Sequence, residues 1–284
     1  MIAITGANGQ LGRLVLDALL KTIDPAELIA LVRDPAKATD LRAKGIEIRA
    51  ADYNKPETLT SALKGVDRLL LISSSEVGQR RAQHRAVIAA AQAEGVALLA
   101  YTSLLHADTS TLGLAAEHRD TEQALAESGL SHVLLRNGWY NENYTASVAP
   151  AVEHGVILGS AKEGRISSAA RADYAEAAAS VLTQDGQAGK IYELAGDDSY
   201  TLTELAAEVA QQSGKAVAYN DLPQAQYKEA LVSIGLPDEL AAMLADSDAA
   251  AAKGDLYDGS RQLSQLLGRP TTPIAPSVSA ALKP

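Results

Sequence analysis

Three features of the sequence predict an α/β fold, a doubly wound parallel sheet with a smaller, mostly helical C-terminal portion. Short apolar runs alternate with amphipathic stretches over the first 136 residues. The runs are apolar at consecutive positions rather than at every second one, as strands covered on both faces require. Gly45, Gly65, Gly95 and Gly129 each stand just before an apolar run, where a helix ends in the left-handed conformation that glycine adopts freely.

The elements follow in order. Strands are expected at 2–4, 28–32, 46–49, 68–72, 96–101 and 132–135, and helices at 10–21, 35–44, 56–64, 79–94 and 113–128. Asp34-Pro35 and Lys55-Pro56 place proline at the first helical position, where its missing N–H removes no bond. After Arg136 the rhythm changes. Runs 156–158 and 191–194 are candidate strands, with the alanine-rich helix 173–183 between them. The tail from Thr201 is helical, broken at Gly214, Pro223, Gly235-Leu236-Pro237 and Pro270. The expected division is a domain over 1–136, its sheet completed by segments within 156–195, and a smaller portion over 137–284.

Composition narrows the functions. Cysteine is absent, which excludes a disulfide framework, thiolate metal sites and a thiol nucleophile. His84, His106, His132 and His154 share no ligand spacing, so no metal site is expected. Thirty-five acids against 25 bases give a net charge of −10, without a long Lys/Arg run, which argues against nucleic acid and anionic membranes as partners. No basic, apolar leader opens the sequence and no run approaches the 18 or so apolar residues of a membrane helix, so a soluble, cytoplasmic protein is expected. Phenylalanine is absent too.

The strongest motif is Thr5-Gly6-Ala7-Asn8-Gly9-Gln10-Leu11-Gly12, between the first strand and the first helix. It is a GxxGxxG variant of the Rossmann fingerprint. Gly6 permits the tight turn, Gly9 lets backbone approach a pyrophosphate, and Gly12 lets helix pack on strand. The helix N-terminus adds free N–H groups for phosphate. A dinucleotide is therefore the expected ligand, on the 1–136 domain. At the end of the second strand, where an acid would accept from the ribose of NAD, stands Arg33, which suits the 2′-phosphate of NADP(H). Its other reading is a surface charge near a helix start. Asp34 reads as a helix N-cap. Asp52-Tyr53 either edges the adenine or enters a helix.

Thr5–Gly12, Arg33, Ser73-Ser74-Ser75-Glu76, Tyr101-Thr102-Ser103 and Leu135-Arg136-Asn137-Gly138-Trp139-Tyr140 together resemble the NmrA-like group of atypical short-chain dehydrogenases, over the whole length of the chain. The resemblance implies NADPH-dependent two-electron reduction of a quinone. It also implies that Gly6, Ala7, Asn8, Gly9, Gln10, Leu11 and Arg33 hold the adenosine and phosphates, beside Gly12 of the same motif. Ser73, Ser74 and Ser75, and the loop Asn137, Gly138, Trp139, Tyr140, Asn141, Glu142, would line the nicotinamide side. Arg171 would reach the cofactor from the 137–284 portion, which is expected to hold the substrate. Relatives commonly carry phenylalanine near Leu98–Leu99, Leu158 and Tyr257. Aliphatics and tyrosine stand there instead, a pattern expected of a reduced-alphabet version of a natural reductase, in which core swaps conserve volume.

One departure is informative. Typical short-chain dehydrogenases carry Tyr-x-x-x-Lys, and no such pair stands near residues 101–122. His118 occupies about the place of a lysine in some NmrA-like reductases. It is either a proton donor or a structural helix histidine. Trp139, Tyr140 and Tyr144 offer stacking surfaces for a flat aromatic acceptor, and Asn141 and Asn143 offer hydrogen bonds to its oxygen. Tyr140 and Asn143 join His118 as candidates for the chemistry. Two other functions stay open: a non-catalytic NADP-binding redox sensor, and a reductase of another aromatic acceptor such as a triphenylmethane dye. The oligomeric state, monomer or homodimer, is open as well.

Overall fold

The computed structural model describes residues 1–283. Among the described residues the strands are β1 (Ile2–Ile4), β2 (Leu28–Val32), β3 (Glu47–Ala50), β4 (Arg68–Leu71), β5 (Leu98–Leu104), β6 (His132–Asn137), β7 (Val156–Gly159), β8 (Ile191–Leu194) and β9 (Ala218–Asp221). A seven-stranded sheet runs in the order β3-β2-β1-β4-β5-β6-β8. Pairings among its first six strands are parallel. The chain moves outward through β1, β2 and β3, then returns to lay β4 beside β1. That reversal opens a crevice at the carboxyl ends of β1 and β4, where ligands of such sheets bind.

The helices are α1 (Gln10–Leu19), α2 (Thr39–Ala43), α3 (Pro56–Ala62), α4 (Arg80–Ala93), α5 (Ala115–Ser128), α6 (Asn141–Thr145), α7 (Val148–His154), α8 (Arg171–Thr183), α9 (Leu202–Ser213), α10 (Gln224–Ser233), α11 (Asp238–Ala251), α12 (Gln262–Leu267) and α13 (Ile274–Ala281). Among the described residues, none is long and apolar enough to cross a membrane.

The chain divides into two compact units. The first comprises Met1–Ala107, Ala116–Asn137 and Ala172–Tyr192; the second comprises Asp108–Ala115, Gly138–Arg171 and the chain from Glu193 onward. The first has a core of Ile29, Leu31, Leu69, Leu71, Leu99 and Tyr101 from the strands against Leu59, Val87, Ala91 and Leu125 from helices and Leu63 at the end of α3. Each buried Leu or Ile contributes about 1.5–3 kcal/mol relative to exposure. Burial along all of β2 and β5 and the last three residues of β4 is why those segments read as apolar runs, while the edge strand β3 is exposed at Glu47 and Ala50 and half-buried between them. Leu98 and Leu99 are buried in β5, so aliphatic side chains fill this layer.

Helix α8 packs through small residues, with Tyr174, Ala175, Ala177, Ala178, Val181 and Leu182 buried. Its C-terminus is held by Arg68. That guanidinium donates to the carbonyls of Leu182 and Gln184, both at 2.8 Å, and to Asp185 Oδ1 at 2.7 Å. In the second unit, α9 starts at a capping box. Thr201 Oγ1 accepts from the Glu204 N–H at 3.2 Å, and Glu204 Oε2 accepts from the Thr201 N–H at 2.8 Å.

Two expectations change in detail. Segment 156–158 does not complete the main sheet. As β7 it pairs in parallel with β9, in a sheet of its own, while 191–194 joins the large sheet as β8. The stretch 35–44 is a short 3₁₀ turn over Pro35–Ala38 followed by α2.

Candidate cofactor-binding site

The loop after β1 is shaped by its glycines. Gly6 sits at φ +57°, the left-handed region. The Gly9 N–H donates to the Gly6 carbonyl at 2.8 Å, closing the turn. A Cβ on Gly12 would lie 2.5 Å from the Gly6 oxygen and 2.8 Å from the Ala7 Cα, so backbone packs where any side chain would stand. Gly9 caps α1 with no side-chain bond, which leaves the first N–H groups of α1 to an anion.

Thr5 ties this loop to its neighbours. Its hydroxyl donates to the Leu70 carbonyl at 3.0 Å and accepts from the Ile72 N–H at 2.9 Å, while Tyr53 Oη lies 2.6 Å away. The carboxyl ends of β1 and β4 are thus locked together. A cavity of about 490 Å³ opens there, lined by the glycine loop, the end of β2 and the Ser73–Glu76 segment.

The cavity brings together Gly6, Asn8, Gly9, Gln10, Leu11, Gly12, Arg33, Asp52, Ser73, Ser74 and Ser75, drawn from separate stretches of the chain. Ala7 is fully buried, outside the residues that line the cavity, and its N–H reaches the Leu31 carbonyl at 3.3 Å, which anchors the loop to β2. Asp52 lines the cavity, and its Oδ1 also accepts from the Asn54 N–H at 3.0 Å within the turn before α3. Lys37, Asn54, Glu76 and Gln83 also line the cavity. Sequence reasoning gave them no role. The one available signal was Lys37, a second cation four positions after Arg33 on the same turn.

Ser74 is held from behind. Its N–H donates to His84 Nε2 at 3.0 Å, and Arg80 Nε donates to its carbonyl oxygen. His84 Nε2 is therefore the acceptor nitrogen. Its Nδ1–H donates to Thr121 Oγ1 at 2.9 Å, and Thr121 donates to the Glu117 carbonyl at 3.0 Å. Burial first, and then the Arg80 charge, push His84 down to about 4.

His118 belongs to the same layer and does not line the cavity. It is 5% exposed, with Arg80 Nη1 3.4 Å from Nε2 and the Tyr101 hydroxyl 2.8 Å from Nδ1. Arginine only donates, so Nε2 accepts and Nδ1–H donates to Tyr101. Burial, then Arg80, then His84 push His118 down to about 3, and burial raises Tyr101 above the ordinary phenol range. The structural reading of His118 is the one the geometry favours. A neutral ring with both nitrogens engaged is poorly placed as a proton donor.

In the second unit, the loop after β6 forms its own cluster. The Arg171 guanidinium lies 4.8 Å over the Tyr140 ring, and the Glu142 carboxylate accepts from the Arg171 N–H at 3.0 Å. Asn143 is exposed, its N–H on the Tyr140 carbonyl at 3.0 Å. Asn141 is fully buried; its Nδ2 donates to the carbonyls of Thr272 and Pro273 and meets Ser277 Oγ, and its Oδ1 accepts from Ser168. Its side chain pins the C-terminal segment. Gly138 donates its N–H to the Leu194 carbonyl at 2.7 Å, and Trp139 is half-buried.

The sequence pattern of the NAD(P)H-binding family matches residues 6–185, the span that contains the glycine loop, Arg33 and the Ser73–Glu76 segment. The chain belongs to this family. Within the NAD(P)H-binding family its likeness extends almost end to end to Quinone oxidoreductase 2 of Escherichia coli (strain K12), at 61% identity over 98% of each chain. The crystal structure of the NADPH-dependent quinone oxidoreductase of E. coli complexed with NADPH superposes with a TM-score of 0.98, at 60% identity and full coverage of both chains. The triphenylmethane reductase of Citrobacter sp., complexed with NADP(H), gives a TM-score of 0.96 at 36% identity, over 99% of this chain and all of that one. An NmrA-like family domain-containing oxidoreductase of Aspergillus flavus is 30% identical over 75% of this chain and 72% of its own length. This NAD(P)H-binding chain is thereby placed in the NmrA-like group.

Proposed function

We propose that this chain reduces quinones by two electrons, with NADPH as the hydride donor. The carrying observation is the nearly full-length, 61% identity to Quinone oxidoreductase 2, joined to a NADP-type constellation in the cavity. The residues fit the cofactor on their own terms. The Gly12 approach leaves room for no side chain at the loop, α1 presents uncapped N–H groups, and Arg33 and Lys37 stand at the rim.

The loop Gly6–Gly12 binds the pyrophosphate through backbone N–H groups and the α1 dipole. Arg33, with Lys37 beside it, binds the 2′-phosphate as a charge-assisted fork. Ser73, Ser74 and Ser75 orient the nicotinamide end, on a loop held by His84 and Arg80. When bound, NADPH supplies a hydride, and a quinone plus that hydride and one proton is a hydroquinone. Tyr140, kept in place by Arg171, offers the acceptor a stacking face, and Asn143 offers an exposed amide. No side-chain acid is required. A quinone is already electrophilic, its reduced oxygen takes a proton from water, and His118 serves the layer behind Ser74.

The test is oxidation of NADPH, followed by loss of its near-ultraviolet absorbance, with a panel of benzoquinones and naphthoquinones and with a cationic triphenylmethane dye. Turnover with quinones at a kcat/KM at least tenfold above the dye is expected. Measurable NADPH binding without turnover of any acceptor would favour the redox-sensor reading and overturn this one.

A further inference from the structure

The segment after β4 brings an acid into the cavity directly against its principal cation. Glu76 Oε1 accepts from Arg33 Nη1 at 2.8 Å, across 43 positions of sequence. The other carboxylate oxygen is held as well. Gln83 Nε2 donates to Glu76 Oε2 at 2.7 Å, and Asn54 Nδ2 lies 3.5 Å from the same atom.

Gln83 is 2% exposed, and its Nε2 also donates to Asn54 Oδ1 at 3.1 Å. Both N–H directions are engaged. Turning the amide over would set its oxygen against a carboxylate and an amide oxygen, so its orientation is fixed even though Oε1 is left buried and unpartnered. The Glu76 N–H donates to Ser74 Oγ at 3.1 Å, which fixes the backbone beneath. Glu76 is therefore aimed at Arg33 by a built frame.

A carboxylate and a phosphate seek the same fork of guanidinium N–H groups. We propose that Glu76 is an internal competitor of the cofactor's 2′-phosphate for Arg33, and that it tempers the preference for NADP(H) over NAD(H). This rests on the reading that Arg33 takes the 2′-phosphate. A cofactor that carries the phosphate separates the Arg33–Glu76 pair and sets two anions side by side, with Lys37 as the remaining cation. A cofactor with a 2′-hydroxyl leaves the pair whole, and its hydroxyl is a donor that a carboxylate accepts.

The size of the effect follows from exposure. The Arg33 and Glu76 side chains are 70% and 39% exposed, so the pair is a weak one, and its removal changes affinity by a factor of a few rather than by orders of magnitude. Screening by salt makes it largest at low ionic strength.

The test is calorimetric titration of NADP⁺ and NAD⁺ into the wild-type chain and Glu76→Gln, at low and high salt. Gln keeps an amide oxygen for Gln83 and Asn54 and removes the charge together with the oxygen that Arg33 engages. The expected result is a roughly two- to fivefold lower Kd for NADP⁺ in Glu76→Gln, a Kd for NAD⁺ within twofold of wild type, and a gain that shrinks at high salt. In an Arg33→Ala background the same change should move NADP⁺ by less than twofold. An unchanged or weaker NADP⁺ affinity in Glu76→Gln, or equal tightening of both cofactors, overturns the competitor role. If Arg33→Ala alone leaves NADP⁺ affinity at the wild-type value, the reading of Arg33 beneath it is overturned instead.

Discussion

A Cβ on Gly12 would meet backbone on both sides, at 2.5 Å from the Gly6 oxygen and 2.8 Å from the Ala7 Cα, and backbone cannot rotate away. Gly12→Ala should therefore destabilise the chain by about 2–3 kcal/mol, as overpacking does, and weaken NADPH binding by spreading the loop. Urea denaturation read beside cofactor titration checks both. Arg33 acts through charge. Arg33→Ala should raise the Kd of NADPH roughly 10- to 100-fold, the worth of charged hydrogen bonds to phosphate, and that of NADH less than threefold. Equal losses for both would remove the 2′-phosphate role. These two residues were legible in the sequence because each acts where the chain order places it, at a strand end or a helix start. Glu76 and Gln83 were not. Their partners, Arg33 and Asn54, lie 43 and 29 positions away, and no local spacing encodes such a pairing. Asn141 and His118 pose the converse problem: that their side chains bond within the fold is visible only once distant segments are brought together.

At the scale of elements, unbroken apolar runs located β1, β2, β4, β5 and β6, since burial on both faces leaves no polar alternation to confuse with a half-exposed strand. Strand β9 escaped notice because Ala218–Asp221 is mostly exposed and carries little apolar signal; its partner β7 supplies the ladder. The end of α8 offers a direct test of what holds an element in place. Arg68 donates to two terminal carbonyls of that helix and to Asp185, whose side chain is 97% exposed. The carbonyl bonds should matter more than the ion pair. Arg68→Met is expected to cost about 1–2 kcal/mol, whereas Asp185→Asn should change stability by less than about 0.5 kcal/mol. Comparable losses in the two variants, measured by urea titration, would contradict that ranking.

For the whole molecule, acid stability is set by groups on opposite slopes. His84 and His118 are pushed by burial from an ordinary 6.5 to about 4 and about 3. Below pH 6.5 the unfolded chain takes up protons that the folded chain refuses, so their contribution is complete above that pH and is lost as pH falls toward 4. Asp248 runs the other way. Burial pushes it up from 3.8 to about 6, against the opposing pull of the Ser160 N–H, from which it accepts at 2.9 Å. The folded chain keeps that proton between pH 4 and 6 while the unfolded chain releases it, which favours the fold as pH falls. Two histidines outweigh one aspartate. The urea midpoint should be lower at pH 5 than at pH 7.5, and Asp248→Asn, which removes the opposing group, should steepen the fall. A midpoint that rises toward pH 5 would refute the buried, neutral state of the two rings.

The central claim is a hydride passed from NADPH to a quinone in a single two-electron step. Its most direct test is anaerobic mixing of the NADPH-loaded protein with one substituted benzoquinone, with nicotinamide oxidation and hydroquinone formation followed together and radicals sought by electron paramagnetic resonance. One hydroquinone per NADPH, formed in step and without a semiquinone signal, is the predicted result. NADPH that stays reduced in the presence of the quinone, or semiquinone that accumulates as NADPH disappears, would contradict it.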